Sequence, residues 1–300
     1  MYIKFYIILN NNLYVDLVSM KKIALLSCKE IDPNAYLDDD LIFPFLLEKN
    51  IFAEFVIWNE EGIDWKQYDA IIIRSTWDYT EHIEQFLEFL RNLPADISLL
   101  NSYDIVSKNY TKSYLLDLVQ LGFEIVPSIQ SEINKESIES AFQKFDSEKI
   151  LVKPLVGASS IGIKIFERNT PISEISEVML IQPFLKSIHI DGEISLILFN
   201  GKFSHAITKV PKSGDFRSQE EYGSCITAFK PDFETIQYAE SISLKFAPTS
   251  LFSRIDLLKN EEGLWRFIGE VELIEPALYL NFDPAASENF ANAIIKKLNF

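Results

Sequence analysis

The sequence predicts an α/β protein that becomes α+β towards its C-terminus, and two observations carry this. From Ile23 onward, over about eighty residues, short apolar runs alternate with amphipathic stretches at helical spacing, as in a small open parallel sheet with helices. From residue 150 onward the strands come in neighbouring pairs joined by turn residues, as in antiparallel hairpins. A chain of 300 residues that is 48% hydrophobic has room for two or three such units.

Taken in order, Ile23–Ser27 is the first expected strand and follows Met20 closely. The stretch before it holds one short apolar run, Phe5 to Leu9, and then Asn-rich sequence. That run is too short for a secretory signal, so residues 1–20 read as a dispensable, disordered or non-native extension. Asp38–Lys49 has helical periodicity. Ala53–Trp58 and Ala70–Arg74 are mostly apolar and fit buried parallel strands. Glu81–Leu93 is a helix with Ile83, Phe86, Phe89 and Leu90 on one face. A single helix from about Lys108 to Leu121, stopped by Gly122, is expected to carry Lys112. A strand at Glu124–Pro127 and a polar helix at Ser131–Lys144 follow. Ile150–Ile165 reads as strand, tight Gly-bounded loop, strand. After a strand at Val178–Leu185, Asn200-Gly201 joins Glu193–Phe199 to Lys202–Lys209 in the strongest hairpin signal of the chain. Ile236–Phe246 is a helix, Ser250–Lys259 and Trp265–Ile274 pair through Asn260–Gly263, and Pro284–Leu298 is the last helix.

The net charge of −16 argues against a nucleic-acid or anionic-membrane surface, which needs a basic footprint. It does not argue against one bound nucleotide, whose local field is set by a few lysines and a metal. Cys28 and Cys225 are the only cysteines and lie far apart, so a reducing compartment, the cytoplasm, is expected. No apolar stretch approaches the roughly 18 residues of a membrane span.

Two stretches carry the chemistry. Lys153 ends a strand just before Gly157-Ala-Ser159-Ser160-Ile-Gly162, where small residues let backbone N–H groups and hydroxyls approach a phosphate. No Gly-Lys-Ser/Thr opens a helix there, so it is not a Walker loop. Further on, Glu270 and Glu272 share one face of a strand because side chains repeat with period two, and Asp256 lies on the strand expected beside them. Three like charges on a sheet face are costly without a cation, and hard oxygen donors suit magnesium. At the carboxyl end of an N-terminal strand, where open α/β sheets bind ligands, Arg74, Trp77 and Asp78 offer groups for a zwitterionic, amino-acid-like molecule. The blander reading is an Arg74–Asp78 pair that braces the loop. His205 and Lys209 share one parity of their strand, so both could face the site.

Together, Lys112, Val152-Lys153-Pro154 with its loop, Gln182-Pro183-Phe184-Leu185, Gly214-Asp215-Phe-Arg217, Arg254-Ile-Asp256 and Glu270-Val-Glu272-Leu-Ile-Glu275-Pro276 resemble the ATP-grasp superfamily. Within it the chain is similar to the glutathione synthetase-like carboxylate–amine ligases. Arg74-Ser-Thr-Trp-Asp-Tyr79 and Gly214-Asp-Phe-Arg-Ser-Gln219 bring it closest to the branch that contains the D-cycloserine biosynthesis ligase. The resemblance implies an N-terminal α/β domain over 21–102, a lid subdomain with its preceding helix over 103–186, and a core subdomain with the metal site over 187–300. It implies that Lys112, Lys153, Lys209 and the loop Gly157, Ser159, Ser160 and Gly162 hold the ATP phosphates. Gln182, Pro183, Phe184 and Leu185 would frame the adenine. Asp256, Glu270 and Glu272 would bind one or two Mg2+ ions, with Mn2+ as a substitute. Arg217 and Lys153 would serve catalysis, and Arg217 and Arg254 the substrate. Two departures stand out: the lid loop has fewer glycines than the family pattern, and Glu272 stands where many relatives have Asn. The implied reaction activates a small carboxylate as an acyl phosphate for attack by an amine. A nucleotide-binding module without turnover, or a kinase-like or cyclising use of the site, remains the alternative, and a homodimer stays open.

Overall fold

The computed structural model describes residues 20–31, 37–157, 160–168, 170–172, 174–212, 214–215, 217–218 and 222–299. Residues 1–19 of the expected extension and the loop residue Ser159 lie outside them. Strands β1 (Lys21–Ser27), β2 (Ile51–Ile57), β3 (Ala70–Ser75) and β4 (Ser98–Leu100) form an all-parallel sheet in the order β2-β1-β3-β4. Every residue of β3 is buried, as a strand covered on both faces requires. Helices α1 (Phe43–Leu47), α2 (Ile83–Arg91) and α3 (Tyr103–Asn109) belong to this layer. Phe86, Leu90 and Val106 pack with Leu26, Ile71 and Ile73 on one side of the sheet.

The expected helix over Asp38–Lys49 is two pieces, a 3-10 turn Asp39–Ile42 and then α1. Pro44 has no N–H and suits only the first turn of a helix, so α1 starts beside it. The long helix expected to carry Lys112 is also broken. It ends at Asn109 and restarts as α4 (Tyr114–Gln120), leaving Lys112 in the gap. The cause is hydrogen bonding outside the helix: the Lys112 N–H donates to the Leu155 carbonyl at 2.7 Å. Glu124–Pro127 contributes only a single bridge, Ile125 to Ile268. The first part of the expected polar helix is strand β5 (Ile129–Ile133); α5 (Lys135–Phe145) starts after Asn134, whose side chain and that of Ser137 cap it reciprocally.

A second sheet, order β5-β8-β6-β7, combines β5 with β6 (Lys149–Pro154), β7 (Lys164–Glu167) and β8 (Ile175–Pro183), all antiparallel. Its core of Ile150, Val152, Met179 and Ile181 rests on Ile138, Ala141 and Phe142 of α5. Gly162 in the β6–β7 loop has φ +77°, and a Cβ there would meet Pro154 Cγ at 2.8 Å. The third sheet, order β11-β10-β9-β12-β13, contains β9 (Glu193–Phe199), β10 (Lys202–Val210), β11 (Cys225–Phe229), β12 (Phe252–Lys259) and β13 (Trp265–Glu272). Asn200 and Gly201 both take positive φ, 50° and 73°, as the β9–β10 turn requires. One face packs on α4 and α6 (Phe233–Phe246) through Leu115, Leu118, Ala239 and Ile242. The other face shares a core with the parallel sheet, in which Ile23, Leu25 and Ile72 join Ile197, Phe252 and Phe290 of α7 (Ala286–Leu298). Among the described residues no helix is long and apolar enough to cross a membrane.

Candidate active site

The β12–β13 register sets the acids. Asp256 pairs with Glu270 and Arg254 with Glu272, so alternation puts all four side chains on one face while Ile255, Val271 and Leu273 point into the core. Carboxylate oxygens of Asp256, Glu270 and Glu272 lie within 4.8 Å of one another. The Arg254 guanidinium donates to Asp256 at 3.0 and 3.1 Å and also to Glu272. From β10, one strand beyond β9, Lys209 pairs with Asp256 at 3.3 Å and with Glu193 at 2.5 Å, while the Ser195 hydroxyl of β9 donates to Asp256 at 2.5 Å. Burial alone would raise Asp256, but Arg254 and Lys209 outweigh it and hold the carboxyl down to about 2. Glu272 goes the other way: burial, with Glu270 and Asp256 as like charges, pushes it well above the usual range despite Arg254.

The β6–β7 hairpin meets this face through its own Lys153 and through Lys112, which comes from the gap between α3 and α4. Lys112 donates to the Gly157 carbonyl at 2.7 Å and pairs with Glu270 at 3.4 Å, tying the lid loop to β13. Burial pulls the Lys153 amine down, and Glu270 partly offsets that. For Glu270, Lys112 and Lys153 outweigh burial and hold it down to about 2. Three oxygen donors on rigid strands, with cationic side chains around them, fit a magnesium ion beside phosphates.

Lys112, Lys153, Gly157, Lys209, Arg254, Asp256, Glu270 and Glu272 are thus brought together. Other candidates are placed differently. Gln182 is buried and donates to the Ser128 hydroxyl at 2.9 Å, so its side chain is engaged within the lid. Phe184 donates its N–H to the Lys149 carbonyl and its ring lies 5.5 Å from that of His189. Pro183 pairs with Ile150, Leu185 begins the turn after β8, and Ser160 has φ 57°. Arg217 is paired with Asp215 at 2.6 Å and lies 3.7 Å over the Tyr222 ring, within the loop between β10 and β11.

The Arg74–Asp78 brace, the blander of the two readings of this loop, does not occur. Arg74 is 2% exposed, donates to Asp39 at 2.7 Å and to the Pro276 carbonyl at 2.8 Å, and its Cζ lies 5.0 Å from the Phe252 ring centroid. Asp78 accepts from the Trp58 indole at 2.8 Å, and Trp77 is half-buried. A buried guanidinium takes the carboxylate that burial brings to it, here Asp39 from the 3-10 turn. His205 turns from the acids to the Leu278 carbonyl, 2.8 Å away. Sequence reasoning missed Glu193 and Ser195 as supports of Lys209 and Asp256. The signal was present: both break the apolar run of β9 at the parity that faces Asp256 across the β9–β12 register.

The hairpin that carries Lys153 thus meets the carboxylate face of an antiparallel sheet. The model of the prokaryotic glutathione synthetase ATP-grasp domain matches residues 117–261, and that of the N-terminal domain of D-cycloserine synthetase DcsG matches residues 23–101. Residues 117–261, just under half of the chain, thus match an ATP-grasp domain, and the fold is that of solved ATP-grasp ligases. It is 25% identical to the cycloserine biosynthesis protein DcsG of Streptomyces lavendulae over 284 residues, 86% of this chain and 94% of that protein. The crystal structure of D-cycloserine synthetase DcsG has the same fold, with TM-score 0.76 and 22% identity over 92% of this chain and 99% of that one. D-alanyl-alanine synthetase A from Vibrio cholerae is similar at TM-score 0.62 and 18% identity, covering 94% of this chain and 99% of its own. Members of the superfamily use ATP with Mg2+, and its ligases act on small molecules or peptides.

Proposed function

We propose that the protein is an ATP-dependent carboxylate–amine ligase acting on an amino-acid-like small molecule and releasing ADP and phosphate. The observation that carries this is the meeting of Lys112, Lys153 and Lys209 with Asp256, Glu270 and Glu272 on one face. Magnesium held by the three acids would supply charge neutralisation for the transferring phosphoryl group. One or two ions would fit the reading, and Mn2+ would serve as a substitute. Lys112 and Lys153 would hold the nucleotide's phosphates, since both sit at the lid side of the acids. Gly157, Ser159, Ser160 and Gly162 would close over them and exclude water from the acyl phosphate. Gln182, Pro183, Phe184 and Leu185 would edge the adenine through the backbone of the strand end.

Arg254 would receive the substrate's carboxylate, and Arg217 would reach the reacting carbonyl once its loop releases the Asp215 pair. The amine then attacks the activated carbonyl, and phosphate leaves. The similarity to DcsG and to D-alanyl-alanine synthetase A favours this reading over a nucleotide-binding module without turnover. The test is a screen of amino acids and small carboxylates for ADP and phosphate release. Release that depends on one carboxylate and one amine supports the reading, and tight Mg-ATP binding with no release from any pair contradicts it.

A further inference from the structure

Glu275 is a carboxylate that the site as described does not use. It lies three residues past Glu272, is 8% exposed, and immediately precedes Pro276, whose carbonyl is latched to Arg74 at 2.8 Å. Burial raises its pKa, and the two guanidiniums that act on it, Arg254 and Arg74, only partly offset that. Both are already matched elsewhere, Arg254 by Asp256 and Glu272, and Arg74 by Asp39. Among the described residues Glu275 forms no ion pair of its own. Its neighbour from the parallel layer is Tyr79, a neutral, buried phenol that interacts with its carboxylate. A buried acid with no counter-ion, beside three more acids, calls for a cation. The adjoining guanidinium has the opposite want: Arg74 Nη1 is buried and has no hydrogen-bond partner.

We propose that Glu275 is the residue that recognises the cationic amino group of the substrate, with the neighbouring Arg74 guanidinium facing the substrate's carboxylate. This rests on the ligase reading and deepens it, because it makes the substrate a zwitterion. The place agrees. Arg74 is the penultimate residue of β3 and Tyr79 lies in the turn that follows it, at the carboxyl edge of the parallel sheet where ligands of open α/β sheets sit. Glu275 is supplied to that edge by the segment that leaves β13 directly after the acids. A zwitterion there answers both unmet groups at once, whereas a metal ion would answer only the carboxylate.

The test compares matched pairs, D- and L-alanine against propionate and D- and L-serine against 3-hydroxypropionate, in the full chain with magnesium and a non-hydrolysable ATP analogue. Calorimetric affinity is the readout, and it does not depend on turnover. We expect at least one amino acid to bind tenfold or more tightly than its des-amino partner. Glu275→Gln should abolish that preference while leaving the affinity for the analogue within about twofold. Tyr79→Phe, which keeps the carboxylate, should retain most of it and shows that disturbing this wall alone is not the cause. Des-amino partners binding as well as the amino acids, no binding by any of them, or a preference that survives Glu275→Gln, each overturns the proposal. Selective binding without ADP release in the turnover screen would leave Glu275 assigned and sink the ligase reading. A gain in magnesium affinity by the free protein that disappears in Glu275→Gln, with no amino-acid preference, would reassign the residue to a metal and overturn the proposal.

Discussion

Lys153 shows how the site's charges depend on one another. Burial opposes its charge, and Glu270 is the largest favourable influence on it. Lys153→Ala should therefore weaken Mg-ATP binding about tenfold or more, the scale of one lost charge-assisted contact, as read by calorimetry on folded protein. Unchanged affinity would move the phosphates away from the lid hairpin. Glu270→Gln keeps the shape and removes the charge, so turnover should vanish while nucleotide binding survives at high magnesium. His205 supplies a pH signature outside the site. Burial lowers its pKa from the ordinary 6.5, partly offset by its hydrogen bond to Leu278, so the folded state prefers the neutral ring. Its contribution is complete above 6.5 and is lost as pH falls through 6.5 towards the depressed value. The thermal midpoint should drop over that window, and His205→Gln should flatten the drop. An identical pH profile in the variant would place the acid sensitivity elsewhere.

At the scale of elements, the strand that carries the acids is held by the asparagine that closes α3. Asn109 donates to the Val271 carbonyl at 2.8 Å and accepts the Leu273 N–H at 3.0 Å, one residue on either side of Glu272. Asn109→Ala leaves two buried backbone groups unpaired, which should cost on the order of 2–3 kcal/mol. It should also raise the magnesium concentration needed for half-maximal nucleotide binding. A stability loss with unchanged magnesium dependence would make Asn109 a purely structural cap. The same residue explains what the sequence concealed. Period-two alternation was enough to put Glu270 and Glu272 on one face, and Asn-Gly was enough for the β9–β10 hairpin, because both signals are local. The break at Asn109–Tyr114 was not legible, since the side chain that ends α3 bonds to backbone more than 160 positions away. The Arg74–Asp39 pair was hidden in the same way: it joins the end of β3 to a segment that local periodicity assigned to a continuous helix. Strand β11 has an exposed, mostly non-branched sequence and announces itself only by pairing with β10.

Across the whole molecule, the three sheets converge on one place. The lid contributes lysines, the antiparallel core contributes acids and Arg254, and the parallel layer contributes the wall that holds Arg74 and Tyr79. If that convergence exists to make and protect an acyl phosphate, the intermediate should be trappable. The direct measurement supplies Mg-ATP, a responding carboxylate and hydroxylamine in place of the natural amine, and quantifies hydroxamate, ADP and AMP. The account predicts hydroxamate formed in step with ADP and phosphate, and neither in Glu270→Gln. Hydroxamate accompanied by AMP and pyrophosphate, or ADP released without any hydroxamate across the carboxylates that respond, would contradict it.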